Sequence, residues 1–346
     1  MQLLPRHRRG DQRRTESDAL MHPYTFSQPR SVRDALSTAG PGAAFLAGGT
    51  TLVDLMKLDV MTPGHVLDIN RLPLRGIRRD RDGLHIGALD RMSDVAAHRT
   101  VRESYPVISQ ALELSASGQL RNMASIGGNL LQRTRCGYFR DVTTPCNKRT
   151  PGSGCSALNG VNRNHAILGT SDACIATHPS DLAVALVALS TEVHLASTQG
   201  VRTVLLDRFY EVPGNTPHLE NVLRPGELIT GITVPHLPWA AKSLYLKIRD
   251  RQSYEFALSS AAVALEMSGR TIKQARVAVG GMGTKPWRLT NVEKALAGRR
   301  AGEAAFEAAV ENAADGARTR ALNGFKPALL RRTLVRALTA LTTESR

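Results

Sequence analysis

The spacing of apolar residues switches repeatedly between strand-like alternation and helical periodicity, which predicts a mixed succession of short strands and helices. Strands are predicted at 43–47, 65–69 and 83–87, with a helix at 52–57 after the first of them. Residues 22–40 begin like a strand, turn, and continue as a helix capped by Ser31. Residues 93–97 and 106–114 read as helices, and so does the Ala/Leu/Val-rich run 181–189, introduced by Pro179-Ser180-Asp181. Residues 192–206 alternate around Gln199-Gly200 and predict a β-hairpin, followed by a strand at 228–234 that Pro235 ends.

The Pro- and Ala-rich stretch PHLPWAAK then reads as a domain boundary near residue 238. Beyond it, strands are predicted at 243–250, 259–267 and 274–280, and Ala-rich helices at 291–297, 302–315 and 328–342. Three strands followed by three helices describe a small α+β domain. The expected fold class is therefore α+β, with one domain at 21–238 and a second at 239–346.

The length of 346 residues, 42% of them hydrophobic, is ample for more than one fold unit. No stretch approaches the roughly 18–20 apolar residues of a membrane span, so a soluble chain with no membrane insertion is expected. The first twenty residues are Arg-rich and lack the apolar run of a signal peptide; they are expected to be a disordered tail or to precede the native start. The net charge of +15 is uneven: residues 1–240 carry 26 Lys and Arg against 21 Asp and Glu, whereas residues 241–346 carry 19 against 9. No helix-turn-helix, zinc finger or aromatic-basic interleaving accompanies this charge. It points to an acidic partner or an anionic cofactor rather than to nucleic acid.

Two glycine-containing segments carry candidate chemistry. In FLAGGTTLVDLMK, the residues Leu46, Ala47, Gly48, Gly49, Thr50, Thr51, Leu52 and Val53 place a Gly pair and two hydroxyls between a strand and a helix. Such a loop can be a plain tight turn, or it can cradle a pyrophosphate on its N–H groups. It has neither the Walker lysine nor the G-x-G-x-x-G spacing. The second segment, LRNMASIGGNLLQ, again joins a Gly pair to Ser125 and Asn129. Two such loops can hold a long phosphate-bearing cofactor from two sides. Asp181 is either a helix N-cap or a partner for a ribose or flavin group.

All four cysteines fall in one stretch with the spacing C-x9-C-x8-C-x18-C: Cys136, Cys146, Cys155 and Cys174. Zinc sites usually show paired C-x2–4-C knuckles, which are missing here. Disulfides would require an oxidising compartment. Four thiolates held by Gly/Pro/Asn-rich turns suit a [4Fe–4S] cluster. Arg135, Arg140, Lys148 and Arg149 supply positive charge nearby or are solvated loop residues. His165 and His178 are expected to pack in the loop rather than to ligate. Tyr254-Glu255-Phe256 either borders the cofactor or packs at the start of a strand, and the turn at Trp287 is assigned no chemistry.

The order of FLAGGTTLVDLMK, LRNMASIGGNLLQ, HPSDLAVAL, GELITGITVP and LKIRDRQSYEFALSSAAVAL resembles the FAD-binding subunits of the molybdenum hydroxylases, the xanthine dehydrogenase and aldehyde oxidoreductase family, from about Met21 onward. The resemblance implies a vanillyl-alcohol-oxidase-type FAD-binding domain followed by a carbon monoxide dehydrogenase flavoprotein-type C-terminal domain. It implies that residues 46–53 hold the FAD pyrophosphate and that Ser125, Gly128 and Asn129 face the cofactor. Asp181 would bond a polar group, with Lys247 close to the flavin. Where the animal xanthine dehydrogenases have a Trp-Phe pair, this chain has Leu114-Ser115, which removes ring stacking there.

The cysteine stretch with its PCNKR and PGSGC segments is similar to that of the bacterial periplasmic aldehyde oxidoreductases. The resemblance implies a [4Fe–4S] insertion at about 132–178, with Cys136, Cys146, Cys155 and Cys174 as ligands. The 4-hydroxybenzoyl-CoA reductase flavin subunit carries a cluster insertion of different spacing and is the family-level alternative, together with xanthine dehydrogenase. The implied role is electron transfer in a heterotrimer. A large molybdenum-cofactor subunit and a small [2Fe–2S] subunit would pass electrons through FAD on this chain to an external acceptor, and no side chain here would act as acid, base or nucleophile. The implied location is the cytoplasm, or the periplasm if the complex is exported on a partner's signal. A zinc-stapled scaffold without redox chemistry is the expectation of a different class.

Overall fold

The computed structural model describes residues 21–343, so the tail expected at 1–20 lies outside the described residues. Three short parallel strands open the chain: β1 (Thr25–Ser27), β2 (Ala43–Leu46) and β3 (His65–Asp68), in the order β1-β3-β2. Parallel strands need crossover connections, and α1 (Val32–Thr38) and α2 (Leu52–Lys57) supply them. Ser31 caps α1 as expected, its hydroxyl accepting from the Asp34 N–H.

A five-stranded antiparallel sheet follows, in the order β4-β5-β8-β6-β7, from β4 (Ile77–Arg79), β5 (Gly83–Gly87), β6 (Glu192–Ser197), β7 (Gly200–Leu205) and β8 (Leu228–Pro235). The predicted hairpin is the β6–β7 pair. Between β5 and β6 the chain builds α3 (Met92–Ala97), α4 (Arg99–Ser104), α5 (Pro106–Glu113), α6 (Gly118–Met123), α7 (Ile126–Leu130), α8 (Gly137–Arg140) and α9 (Asp181–Ala188). The second glycine segment is therefore a pair of short helices, α6 and α7, rather than a loop. Ser117 and Ser125 cap them through their hydroxyls.

The C-terminal part is a four-stranded sheet, β12-β11-β10-β9, made of β9 (Ser243–Ile248), β10 (Ser259–Ser268), β11 (Thr271–Gly280) and β12 (Trp287–Arg288). Helices α10 (Thr290–Leu296), α11 (Glu303–Val310) and α12 (Lys326–Thr343) complete it. Strand β11 starts before its predicted residue 274 because Ile272 and Thr271 pair with Met267 and Ser268 across a register shift. Helix α11 ends at Val310 rather than at 315, and the chain continues in turns.

The two parts share a core. All eight residues of α9 are buried, as a helix apolar on every side must be. It lies in one hydrophobic cluster with Ile86, Val193 and Ile232 of the five-stranded sheet and with Ala262, Ala264 and Ala278 of β10 and β11. The alternate residues of β10, Ala261, Val263 and Leu265, join α10–α12 in a second cluster. Strand β10 is thus buried on both faces, and its small residues on one face leave room for α9. Leu186 of α9 is fully buried. Leu186→Ala is expected to cost about 2–5 kcal/mol by opening a cavity, read as a lowered denaturant midpoint.

Lys326, the first residue of α12, is also fully buried and donates from Nζ to the Gly281 carbonyl at 2.6 Å. Burial lowers its pKa from 10.5 to about 7. Between those values the unfolded chain holds a proton that the folded chain does not, so this group makes stability rise with pH across that window. Denaturation at a series of pH values is expected to show this slope in the wild type and a flatter one in Lys326→Met.

Candidate cofactor site

The first glycine loop leaves β2 at Leu46 and enters α2 at Leu52. A side chain on Gly48 would meet the Met123 carbonyl oxygen at 1.9 Å, so only glycine lets this loop lie on the C-terminal end of α6. Gly49 follows in the left-handed region at φ +72°, seated over the Leu46 and Val53 side chains. Asn70 donates from its amide to the Ala47 carbonyl at 2.9 Å. The Arg91 guanidinium donates to Asn70 Oδ1 at 3.2 Å and to the Met123 carbonyl. The two glycine segments are therefore one braced unit.

The second group centres on a buried ion pair. Lys247 Nζ lies 2.8 Å from Asp181 Oδ2, with side-chain exposures of 1% and 6%. Asp181 also accepts from Tyr245 Oη at 2.7 Å and from Ser115 Oγ at 3.1 Å. Lys247 donates a second bond to the Leu114 carbonyl at 3.0 Å. Burial and the neighbouring carboxylate push the Tyr245 phenol well above its usual pKa, so it stays a donor. The helix N-cap at α9 is Ser180, which accepts from the Ala183 N–H at 3.0 Å and donates to Asn129 Oδ1 at 2.6 Å. Asp181 is thereby freed of the capping role that its position suggested.

Thr50, Thr51, Gly128, Asn129, Asp181 and Lys247 line one cavity of about 220 Å³. Leu46, Ala47, Gly48, Gly49, Leu52 and Val53 stand outside its lining and shape the loop that presents the two threonines. Ser125 is also outside the lining, fully buried, with its hydroxyl accepting from the Gly128 N–H. Tyr254, Glu255 and Phe256 border the cavity, and both aromatic rings are exposed. Tyr245, Asn70 and Arg91 were not singled out from the sequence, since each reads there as an ordinary strand, loop or helix residue, and Ser115 was noted only for the ring its position lacks. A second cavity of about 650 Å³ shares Arg135, Asp181 and Phe256 with the first and extends to Cys136 and His165.

The cysteine stretch folds onto α2. Asp54 of α2 pairs with Arg135 at 2.9 Å and with Arg140 at 2.8 and 3.0 Å, which holds its carboxyl below the usual range. Leu55, Phe139 and Cys146 form a small buried cluster with Cys136 beside it. Cys146 and Cys155 are bridged as facing residues, and Asn147 donates to the Ala173 carbonyl, next to Cys174. The four basic residues are neither free nor simply solvated: Arg135 and Arg140 hold Asp54, Lys148 pairs with Glu220 at 2.9 Å, and Arg149 donates to the Tyr138 and Phe139 carbonyls.

All four thiols are free of disulfides. Burial pushes Cys136 up to about 12 and Cys174 up to about 11, and in each case charge on other cysteines of the set adds to the rise. Among the described residues no three Cys, His, Asp or Glu side chains converge as the ligands of a single metal ion. His165 Nε2 lies 3.2 Å from Cys136 Sγ. His178 packs edge-on against Tyr210 at 4.4 Å and is held down to about 3 by burial.

Two family descriptions match the chain in sequence: the FAD binding domain in molybdopterin dehydrogenase over residues 22–237, and the CO dehydrogenase flavoprotein C-terminal domain over residues 244–342. The aldehyde oxidoreductase FAD-binding subunit PaoB of Escherichia coli (strain K12) is 47% identical over 322 residues, which span 92% of this chain and 98% of that protein. This chain belongs to the FAD-binding subunits of the molybdenum hydroxylases.

Other members lie further off. The glyceraldehyde dehydrogenase medium chain of Sulfolobus acidocaldarius is 30% identical over 285 residues, 81% of this chain and 84% of that one. The solved carbon monoxide dehydrogenase of Hydrogenophaga pseudoflava superimposes with a TM-score of 0.72 at 26% identity, covering 94% of this chain and 99% of its own. As a molybdenum hydroxylase flavoprotein subunit, the chain is part of an oxidoreductase and binds FAD. No helix among the described residues is long and apolar enough to cross a membrane.

The buried pair gives an asymmetric prediction. Asp181→Leu leaves Lys247 buried with only the Leu114 carbonyl, whereas Lys247→Met leaves Asp181 with two hydroxyl donors. Loss of one partner of a buried pair costs about 3–5 kcal/mol, and the Asp181 variant is expected at the upper end. Denaturant unfolding of the two variants side by side checks the order.

Proposed function

We propose that this chain is the FAD- and [4Fe–4S]-containing electron-transfer subunit of a heterotrimeric molybdenum aldehyde oxidoreductase. In this reading a large molybdenum-cofactor subunit and a small [2Fe–2S] subunit deliver electrons that leave through FAD to an external acceptor. The observation that carries it is the double use of α2. Its N-terminal end completes the glycine loop, while Asp54 and Leu55 on the same helix hold the cysteine insertion. In this reading a six-residue helix would tie the two cofactor sites together, as electron exchange requires.

FAD, when bound, supplies one- and two-electron exchange, and an iron–sulfur cluster supplies one-electron exchange. Residues 46–53 would hold the FAD pyrophosphate, with Thr50 and Thr51 lining the cavity. Gly128 and Asn129 line the same cavity, as does the Asp181–Lys247 ion pair. Ser125 acts through the α7 cap rather than by contact.

Cys136, Cys146, Cys155 and Cys174 are the cluster ligands in this reading. Four thiols free of disulfides within one stretch, with Cys146 and Cys155 facing each other across a bridge and Cys136 beside Cys146, are the donor set that supports it. The likeness to the aldehyde oxidoreductase subunit PaoB supports the aldehyde class of substrate on the large subunit.

Copurification with its partners followed by cofactor analysis tests the proposal. A yellow-brown complex with one FAD and about four irons on this chain, and aldehyde oxidation with an artificial acceptor, are expected. A colourless chain loaded with zinc would falsify it. Cys146→Ala is expected to lose iron while residues 46–53 still retain FAD.

A further inference from the structure

The ring of His165 has one polar partner, and it is a cysteine sulfur. Its Nε2 lies 3.2 Å from Cys136 Sγ, whereas its Nδ1 is buried with no hydrogen-bond partner among the described residues. The Tyr138 ring lies tilted against it at 6.4 Å. Leaving a buried ring nitrogen unpaired is costly, so a residue kept only to fill space would be better apolar. The contact to sulfur is what the imidazole adds.

The backbone beneath the ring is held firmly. The His165 N–H donates to the Asn162 carbonyl at 3.0 Å. Asn162 donates from its amide to the Ala157 and Leu158 carbonyls and accepts from the Leu322 N–H at 3.1 Å. Asn323 donates to the His165 carbonyl at 3.4 Å. Asn162 and Asn323 are both buried. The C-terminal part therefore aims the histidine at a sulfur of the insertion.

We propose that His165 is a positioning residue for the cluster, donating an Nε2–H hydrogen bond to the Cys136 thiolate and raising the reduction potential of the [4Fe–4S] group. The inference rests on the cluster reading given above. A donor at a ligand sulfur withdraws electron density and favours the more negative, reduced state. The geometry sets Nε2, rather than Nδ1, against the sulfur.

The test uses the assembled complex in three forms: wild type, His165→Gln and His165→Leu, each assayed for iron and acid-labile sulfide. Redox titration followed by electron paramagnetic resonance is expected to place the cluster of the Leu variant at a lower potential with iron content unchanged. The Gln variant keeps an N–H and is expected closer to wild type. A second measurement stands even if the Leu variant fails to assemble. Wild type labelled with 15N-histidine is expected to show a weak nitrogen coupling to the reduced cluster, lost in His165→Gln. An unchanged potential in an iron-replete Leu variant, or no coupling in wild type, overturns the proposal, and so does a coupling as large as that of a direct ligand. Wild type without an iron–sulfur cluster overturns the underlying reading, and with it the proposal, before any variant is made.

Discussion

The structure turns on the ion pair between Asp181 and Lys247. A carboxylate and an ammonium removed from water are tolerable only when their remaining hydrogen-bonding capacity is filled. Here Tyr245, Ser115 and the Leu114 carbonyl fill it. Those groups come from the end of α5, the start of α9 and strand β9, so satisfying the pair fixes all three elements at once. The cavity of the candidate site opens at that junction. Fold and site are set by the same desolvated charges.

A second constraint is steric rather than electrostatic. The contact of Gly48 with the Met123 carbonyl removes the freedom of the first loop to move apart from α6. Asn70 and Arg91 then tie the loop to β3 and α3. On the far side of the loop, α2 receives the cysteine insertion through Asp54. The insertion is therefore an extension of the loop's own framework, with basic residues spent on holding it in place.

Much of this architecture was legible in the residue pattern. The alternation around Gln199-Gly200 predicts the β6–β7 hairpin, the unbroken apolar run of α9 matches its complete burial, and Ser31 marks a helix start by its chemistry. The pair α6 and α7 escaped because α6 buries none of its residues and α7 contains two glycines, so neither shows a helical stripe. Strands β4 and β12, with three and two residues, are shorter than any period can reveal. At the site, the loop residues and the four cysteines announced themselves by composition and spacing. Tyr245 and Ser115 did not, because their role exists only once distant segments meet around Asp181. The lesson of the four basic residues is similar: charge was visible, but Asp54 and Glu220 as its recipients were not.

Strand β10 has its alternate faces in two different cores. The flavin-binding part is closed by Ala262 and Ala264 of β10 together with Ala278 of β11, which a ribosome adds after the whole of that part has been made. The N-terminal two thirds of the chain therefore leave α9 uncovered until β10 and β11 have been made. On this arrangement the first part cannot close its own core, because the cover of α9 is supplied by the second.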